Sequence, residues 1–269
     1  MLLAVAGGPV YAYTGTRPLV ATQPTVVFVH GAANDHSVWA LQSRYFAHHG
    51  LNVLAVDLPG HGRSGGDALA SVEAIADWIP AVQDAASVAT AALVGHSLGA
   101  LAALECAARH PTRVTKLALL GPAVPMTVSD ALLEAAGRND HVAYELITGW
   151  SYSAGKQLGG SPVPGMWLTG NALRLMERAK PYVLATDLMA CHVYARGLAA
   201  AAALRCPSLL VIGARDIMAP PKSAQELVAA LTNPRVVTLR DCGHALMAEQ
   251  PDAVLDALRA FLPPSEIPR

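Results

Sequence analysis

The segment Gly95-His96-Ser97-Leu98-Gly99 holds the side chain best placed to do chemistry. An apolar run, Thr90 to Val94, leads straight into it, and a helix-forming run, Ala100 to Arg109, leaves it. A serine between two glycines at a strand-to-helix corner is a nucleophile elbow, in which the turn lifts one hydroxyl clear of the backbone. A Cβ at either glycine would collide with the neighbouring strand or helix in so tight a turn. The helix N-terminus beneath the serine offers unpaired amides where negative charge develops. Five residues match by chance often, so the strand-turn-helix setting carries the reading.

A serine hydroxyl is a poor nucleophile at neutral pH and needs a base, itself oriented by a third group. The order expected for a sheet of this kind is Ser, then Asp or Glu, then His. His244 lies in Asp241-Cys242-Gly243-His244, directly after the last expected strand, and Asp216 in Gly213-Ala214-Arg215-Asp216, directly after the preceding one. Asp216 alone could be a turn residue and His244 alone a loop histidine. Arriving together, in order, after successive strands, they point to a triad. Asp241 competes for the acid but abuts the histidine loop and reads as a local turn. His30, His61 and His96 read as structural residues of Gly-flanked turns, His192 as packing within a helical segment with reach into the pocket as the alternative, and His48, His49 and His110 as helix-end surface residues. Addition to a carbonyl leaves charge on oxygen, so two backbone donors are also expected: the amide of Leu98, after the nucleophile, and that of Ala32, in His30-Gly31-Ala32-Ala33. One such donor typically contributes roughly 2.7–4 kcal/mol to the transition state.

The elements needed to position these groups are legible as short apolar runs alternating with amphipathic ones. That alternation predicts an α/β fold, a mostly parallel central sheet flanked by helices. Strands are expected at Thr25–His30, Asn52–Asp57, Ala91–Val94, Val114–Leu120, Ser208–Gly213 and Val236–Leu239, each covered on both faces because polar alternation is absent. Two short edge strands, Leu2–Ala6 and Val10–Thr14, precede them. Helices are expected at Ser37–His48, Ser71–Ala86, Leu98–Arg109, Lys222–Leu231 and Asp252–Phe261, with Pro80 kinking or restarting the second. Between Pro122 and about Leu204 no strand-like run appears. The organisation is therefore a core of residues 1–121 and 205–269, with a helical cap inserted at 122–204. Most Met and Trp residues of the cap are expected to pack it onto the core. Trp150, Trp167 and Ala245, the residue after His244, are the candidates for a substrate pocket.

With 269 residues the chain can bury an ample core without metal or disulfide support. A net charge of −1 with a pI near 6.8 argues against an electrostatic grip on nucleic acid or anionic membrane. The cysteines, Cys106, Cys191, Cys206 and Cys242, have no Cys-x-x-Cys or zinc spacing and read as reduced thiols of a cytoplasmic protein. The opening residues lack the basic start of a secretory signal, and no apolar run is long enough for a membrane span. A dinucleotide site would need Gly-x-Gly-x-x-Gly after the first parallel strand, where the chain has His30-Gly31-Ala32-Ala33. No metal and no cofactor are expected. The tail carries a short biased run, Pro263-Pro264-Ser265, and Ala199–Ala203 is another.

Several segments, in order, resemble the α/β-hydrolase fold superfamily in its branch with a helical cap. They are His30-Gly31-Ala32-Ala33 with Asp35-His36-Ser37-Val38-Trp39, and Asp57-Leu58-Pro59-Gly60-His61-Gly62-Arg63-Ser64. Gly95–Gly99, Gly213–Asp216, and Gly243-His244 with Glu249-Gln250-Pro251 complete the set. The resemblance implies that Ser97 is the nucleophile, Asp216 the orienting acid and His244 the base. The expected activity is hydrolysis of a small, mostly apolar carboxylic ester or lactone through an acyl-enzyme. The same scaffold also supports C–C bond cleavage of diketone-type aromatic breakdown products, acyl transfer or perhydrolysis, cofactor-free oxygen chemistry, and a slow-turnover ligand receptor. The expected partner is a small-molecule substrate, and the sequence leaves oligomeric state open.

Overall fold

Runs of Val, Leu and Ala form strands where both faces can be covered, and in this chain they build one eight-stranded sheet. The computed structural model describes residues 1–161 and 163–262. The strands are β1 Leu2–Val5, β2 Gly8–Tyr13, β3 Thr25–Val29, β4 Asn52–Val56, β5 Ala91–His96, β6 Val114–Leu120, β7 Ser208–Gly213 and β8 Arg235–Leu239, in the order β1-β2-β4-β3-β5-β6-β7-β8. β3 to β8 run parallel, and β1 and β2 add antiparallel at one end. Of the two strands expected at an edge, only β1 is one, because β2 lies between β1 and β4.

The helices are α1 Ala40–His48, α2 Val72–Ala85, α3 Leu98–Arg109, α4 Asp130–Gly137, α5 Val142–Ser151, α6 Ala154–Gln157, α7 Leu168–Met176, α8 Val183–Val193, α9 Gly197–Ala203, α10 Gln225–Ala230, α11 Leu246–Glu249 and α12 Pro251–Arg259. The Ser71 hydroxyl caps α2 by accepting the Ala74 amide, and the helix runs unbroken through Pro80, so no restart occurs there. One core packs α2, α3, α9 and α10 on one face of the sheet; a second packs α1 and α12 on the other. β3, β4, β5 and β7 are buried along their whole length, as apolar runs without alternation require. β8 departs from that expectation: it closes the sheet as an edge strand and only Leu239 is buried.

Helices α4 to α9 lie between β6 and β7. Leu132, Ala135 and Ala136 of α4 share a small third core with Ile147, Met176, Leu184 and Leu188. α9 behaves differently. Its Ala200 and Ala201 join the α2–α3 side of the main core, so this helix, placed in the insertion by sequence, is a crossover helix of the sheet. Residues after Leu262, including the Pro263-Pro264-Ser265 run, lie outside the described part. Among the described residues no helix is long and apolar enough to cross a membrane.

The strand order explains where a site can form. After β3 the chain places β4 on one side and β5 on the other, so the connections leave in opposite directions and open a crevice at the carboxyl ends of β3 and β5. The loop after β3 carries Gly31 to Asn34, and the loop after β5 is Ser97.

Candidate active site

Ser97 sits at the corner between β5 and α3 with φ 53° and ψ −117°, a strained backbone that the surrounding packing must hold. Two glycines make the corner possible. A Cβ on Gly95 would run into the Gly99 carbonyl, and one on Gly99 into the carbonyls of Val29 and His30. The Ser97 amide donates to the Leu120 carbonyl of β6 (3.0 Å), which pins the corner to the neighbouring strand. Leu98 opens α3, and its amide, like the other first amides of a helix, has no intrahelical acceptor.

Asp216 and His244 come from the loops after β7 and β8, adjacent strands of the sheet. His244 Nδ1 donates to Asp216 Oδ2 at 2.7 Å, and both side chains are buried. The other carboxylate oxygen, Oδ1, accepts the amides of Met218 (2.9 Å) and Ala219 (2.8 Å). Asp216 is therefore a turn residue and the partner of His244 at once. Asp241, the competing acid, is exposed, adopts φ 52° and pairs with Arg215.

Three of the histidines read as structural do bond backbone. His96 Nε2 donates to the His244 carbonyl (2.9 Å), anchoring the loop that carries His244. Burial and the neighbouring His244 push its pKa down to about 3, so it stays neutral. His30 Nδ1 donates to the Gly31 carbonyl (2.8 Å) while Nε2 accepts the Leu58 amide (3.1 Å). Burial and the charge of His61 hold its pKa near about 4. His61 donates to the Pro59 carbonyl and also bonds the Asp187 carboxylate. His192 accepts the Val128 amide, within the segment between β6 and β7.

Ser97 and His244 both line one cavity of about 700 Å³. Ala32 and Ala245 contribute from the sheet loops, and Ile147, Thr148, Trp150, Met166, Met176 and Leu188 from the helical segment. Of the pocket candidates, Trp150 and Ala245 are on the wall. Trp167 is not: at the N-terminus of α7 the residue is 67% exposed, and its ring lies over Gly170 of the same helix rather than in the cavity.

Sequence reasoning missed two supports of His244. Gly121 follows β6 with φ +57°, and a Cβ there would stand 3.1 Å from His244 Cε1. A glycine directly after a buried strand was the available signal. Glu249 straps the His244 loop to the end of α5. Its Oε1 accepts the amides of Gly243 (2.9 Å) and Ser153 (3.2 Å), and its Oε2 accepts the Ser153 hydroxyl (2.5 Å). Burial lifts this carboxyl above its ordinary value, partly offset by those donors.

Among the described residues one trio has metal-ligating types close together, Asp35, His36 and Asp57. Three of its four carboxylate oxygens are engaged in closing the loop. Asp35 Oδ1 accepts the Ser37 amide, and Asp57 accepts the amide and ring of His36 and the Arg63 amide. Burial works to raise the Asp57 pKa, but these donors hold it below the usual carboxylate range. The Ser64 hydroxyl completes the loop by donating to the Asp57 carbonyl.

The sequence profile described as the alpha/beta hydrolase family matches residues 26–257. A pimeloyl-[acyl-carrier protein] methyl ester esterase of Aromatoleum aromaticum is 30% identical over 246 residues, covering 86% of this chain and 94% of its own. The protein of the same name in Chromobacterium violaceum is 31% identical over 237 residues, covering 82% and 87%. Among solved structures, the enol-lactonase of Burkholderia xenovorans superposes with a TM-score of 0.83 at 23% identity, over 97% of this chain and 99% of that one, a likeness of fold. The crevice at the reversal of strand order, the serine corner beside it and a match that spans the six parallel strands lead to one conclusion: the chain belongs to the alpha/beta hydrolase family.

Proposed function

We propose that Ser97, Asp216 and His244 act as a triad that hydrolyses a small, mostly apolar carboxylic ester or lactone through an acyl-enzyme. Ester hydrolysis in the broad sense is what family membership and esterase-named relatives indicate. The finer reading rests on one observation, the 2.7 Å bond from His244 Nδ1 to Asp216 beside a cavity that Ser97 and His244 share.

That bond fixes the tautomer. With Nδ1–H committed to Asp216, Nε2 carries the lone pair and takes the proton as Ser97 Oγ attacks the acyl carbon. The carboxylate stabilises the imidazolium that results. The amides of Ala32 and Leu98 receive the oxyanion, and the helix N-terminus behind Leu98 adds its partial positive charge. The imidazolium then protonates the leaving alcohol. Water deprotonated by the same nitrogen attacks the acyl-enzyme and restores the hydroxyl. The wall of Met, Ile, Leu and Trp side chains favours an apolar acyl group and rewards its burial at about 25 cal/mol per Å².

Purified protein should turn over nitrophenyl esters repeatedly, and a fluorophosphonate should add its mass to the peptide containing Ser97. Ser97→Ala should abolish both. Ester turnover surviving that substitution contradicts the assignment, and a single burst with no further product indicates a receptor instead.

A further inference from the structure

The loop after β3 that carries the expected oxyanion donor is held from outside the sheet. The Ala33 amide donates to Asp187 Oδ2 at 2.8 Å, across 154 positions of sequence, and Asp187 lies on α8 of the helical segment. The same oxygen lies 2.8 Å from His61 Nε2. Both side chains of this pair are about 1% exposed. Ala33 has φ 51°, a left-handed backbone that alanine adopts only under constraint.

The bonding leaves little freedom. His61 Nδ1 faces the Pro59 carbonyl at 3.0 Å and Nε2 faces a carboxylate, so both ring nitrogens meet acceptors. The ring therefore carries both protons and pairs with Asp187 as a cation. Burial works to lower the His61 pKa, and the charge and hydrogen bond of Asp187 overcome it and raise it. Next to it His30 is neutral, its Nε2 occupied by the Leu58 amide, so no second cation competes for the carboxylate. Asp187 thus fastens three parts together: the β3 loop, the Asp57–Ser64 loop and α8. Such a buried pair is weak evidence of added stability, since its desolvation cost rivals its attraction. Its effect is geometric. Ala33 N–H is turned toward Asp187, while the neighbouring Ala32 lines the cavity and its amide has no acceptor among the described residues.

We propose that Asp187 is a positioning residue for the oxyanion hole, which by accepting the Ala33 amide fixes the left-handed turn that presents the Ala32 amide to the reacting carbonyl oxygen. The proposal rests on the triad reading above. It also makes the catalytic geometry of the sheet depend on the seating of α8.

The test compares Asp187→Ala and Asp187→Asn by steady-state kinetics on a short nitrophenyl ester, and by inhibition with a trifluoromethyl ketone, whose serine adduct carries an oxyanion. Asp187→Ala should lower kcat about ten- to a hundredfold, with KM within about threefold, and weaken the ketone by a similar factor. Asp187→Asn keeps an acceptor for the Ala33 amide and should recover to within about fivefold of the parent. A folded Asp187→Ala protein with parental kcat, a loss confined to KM, or no recovery in Asp187→Asn overturns the proposal. Should Asp187→Ala fail to fold, amide exchange in the unaltered protein decides. The Ala33 amide must be protected, and exchange at the rate of an open loop overturns the proposal equally. Ser97→Ala serves as the control: if it stays active the triad reading falls, whereas an inactive Ser97→Ala beside a fully active Asp187→Ala removes Asp187 alone.

Discussion

The two walls of the cavity are built on different principles. The sheet wall is made of loop residues held by backbone hydrogen bonds and glycines: Ser97 pinned to Leu120, His244 tied to Asp216 and to the ring of His96, and Gly31 of the β3 loop close against His96 and Ser97. The opposite wall is made of side chains from amphipathic helices, with Ile147, Trp150, Met176 and Leu188 facing inward from elements that share a small core of their own. Reacting atoms need placement to a few tenths of an ångström, which buried strands supply. An acyl chain needs only complementary volume, which flexible Met and broad Trp side chains supply. On the proposed mechanism the sheet wall would set rate and the helical wall preference, with Asp187 and Glu249 bonding loops of the sheet to the helical segment.

Substitutions should separate the two walls, and the largest effect is expected on the sheet. Asp216→Asn retains the shape of the acid but lets His244 take the wrong tautomer, and kcat should fall about 10⁴-fold with KM little changed. A loss smaller than tenfold would mean that another group orients the base. Gly121→Ala comes next. Its Cβ would press on His244 Cε1 from a backbone at φ +57°, and a displaced imidazole should cost about ten- to a hundredfold in kcat. Steady-state kinetics on the folded variant check it, and an unchanged kcat would show that the ring tolerates the shift.

The helical wall should respond in kcat/KM and by substrate length. Trp150→Ala enlarges the cavity, and a panel of esters graded by acyl length should show the preference moving toward longer chains, by about 1–3 kcal/mol between the extremes. Trp167→Ala, on an exposed ring, should leave that profile in place and change stability by less than about 0.5 kcal/mol. Equal effects of the two tryptophans would erase the distinction between lining and surface.

The remaining effect is one of pH on stability, and it too divides the molecule. The folded chain keeps His30 neutral down to about pH 4 and His96 down to about pH 3, while unfolding frees both to bind protons below about 6.5. Unfolding then takes up protons, so these two sites lower stability as pH falls from 6.5. His61 has the opposite sign. Its raised pKa contributes stability that is fully present below about 6.5 and is lost as pH rises through the folded-state value. Glu249, raised by burial, offsets part of the acid-side loss near its own range. Urea midpoints should therefore decline from pH 6.5 to 5, and a flat profile would show that the buried rings titrate as freely as exposed ones.

Much of this was legible in the residues because it depends on local steric and periodic rules. Gly-x-Ser-x-Gly between an apolar run and a helical run can turn in few ways, and Ser97 stands at that turn. Asp216 and His244 were readable because parallel strands deliver their trailing loops to one edge. The errors fall where chain neighbours do not decide. β8 is apolar enough to be interior, yet it is the last strand added and has nothing beyond it. α9 follows the insertion in sequence but packs on the sheet's helices. Trp167 has the composition of a pocket residue and points to solvent.

Local sequence thus determined the strand-helix alternation, the serine corner and the placing of Asp216 and His244 after successive strands, since each follows from the sterics and hydrophobic period of a few contiguous residues. Only the tertiary structure decided that the Asp187 carboxylate would meet the Ala33 amide, that Gly121 would make room for the imidazole, and which tryptophan would face the cavity. Those contacts join positions far apart along the chain. Their pairing is set by how helices seat on the sheet, and no short stretch of residues encodes it.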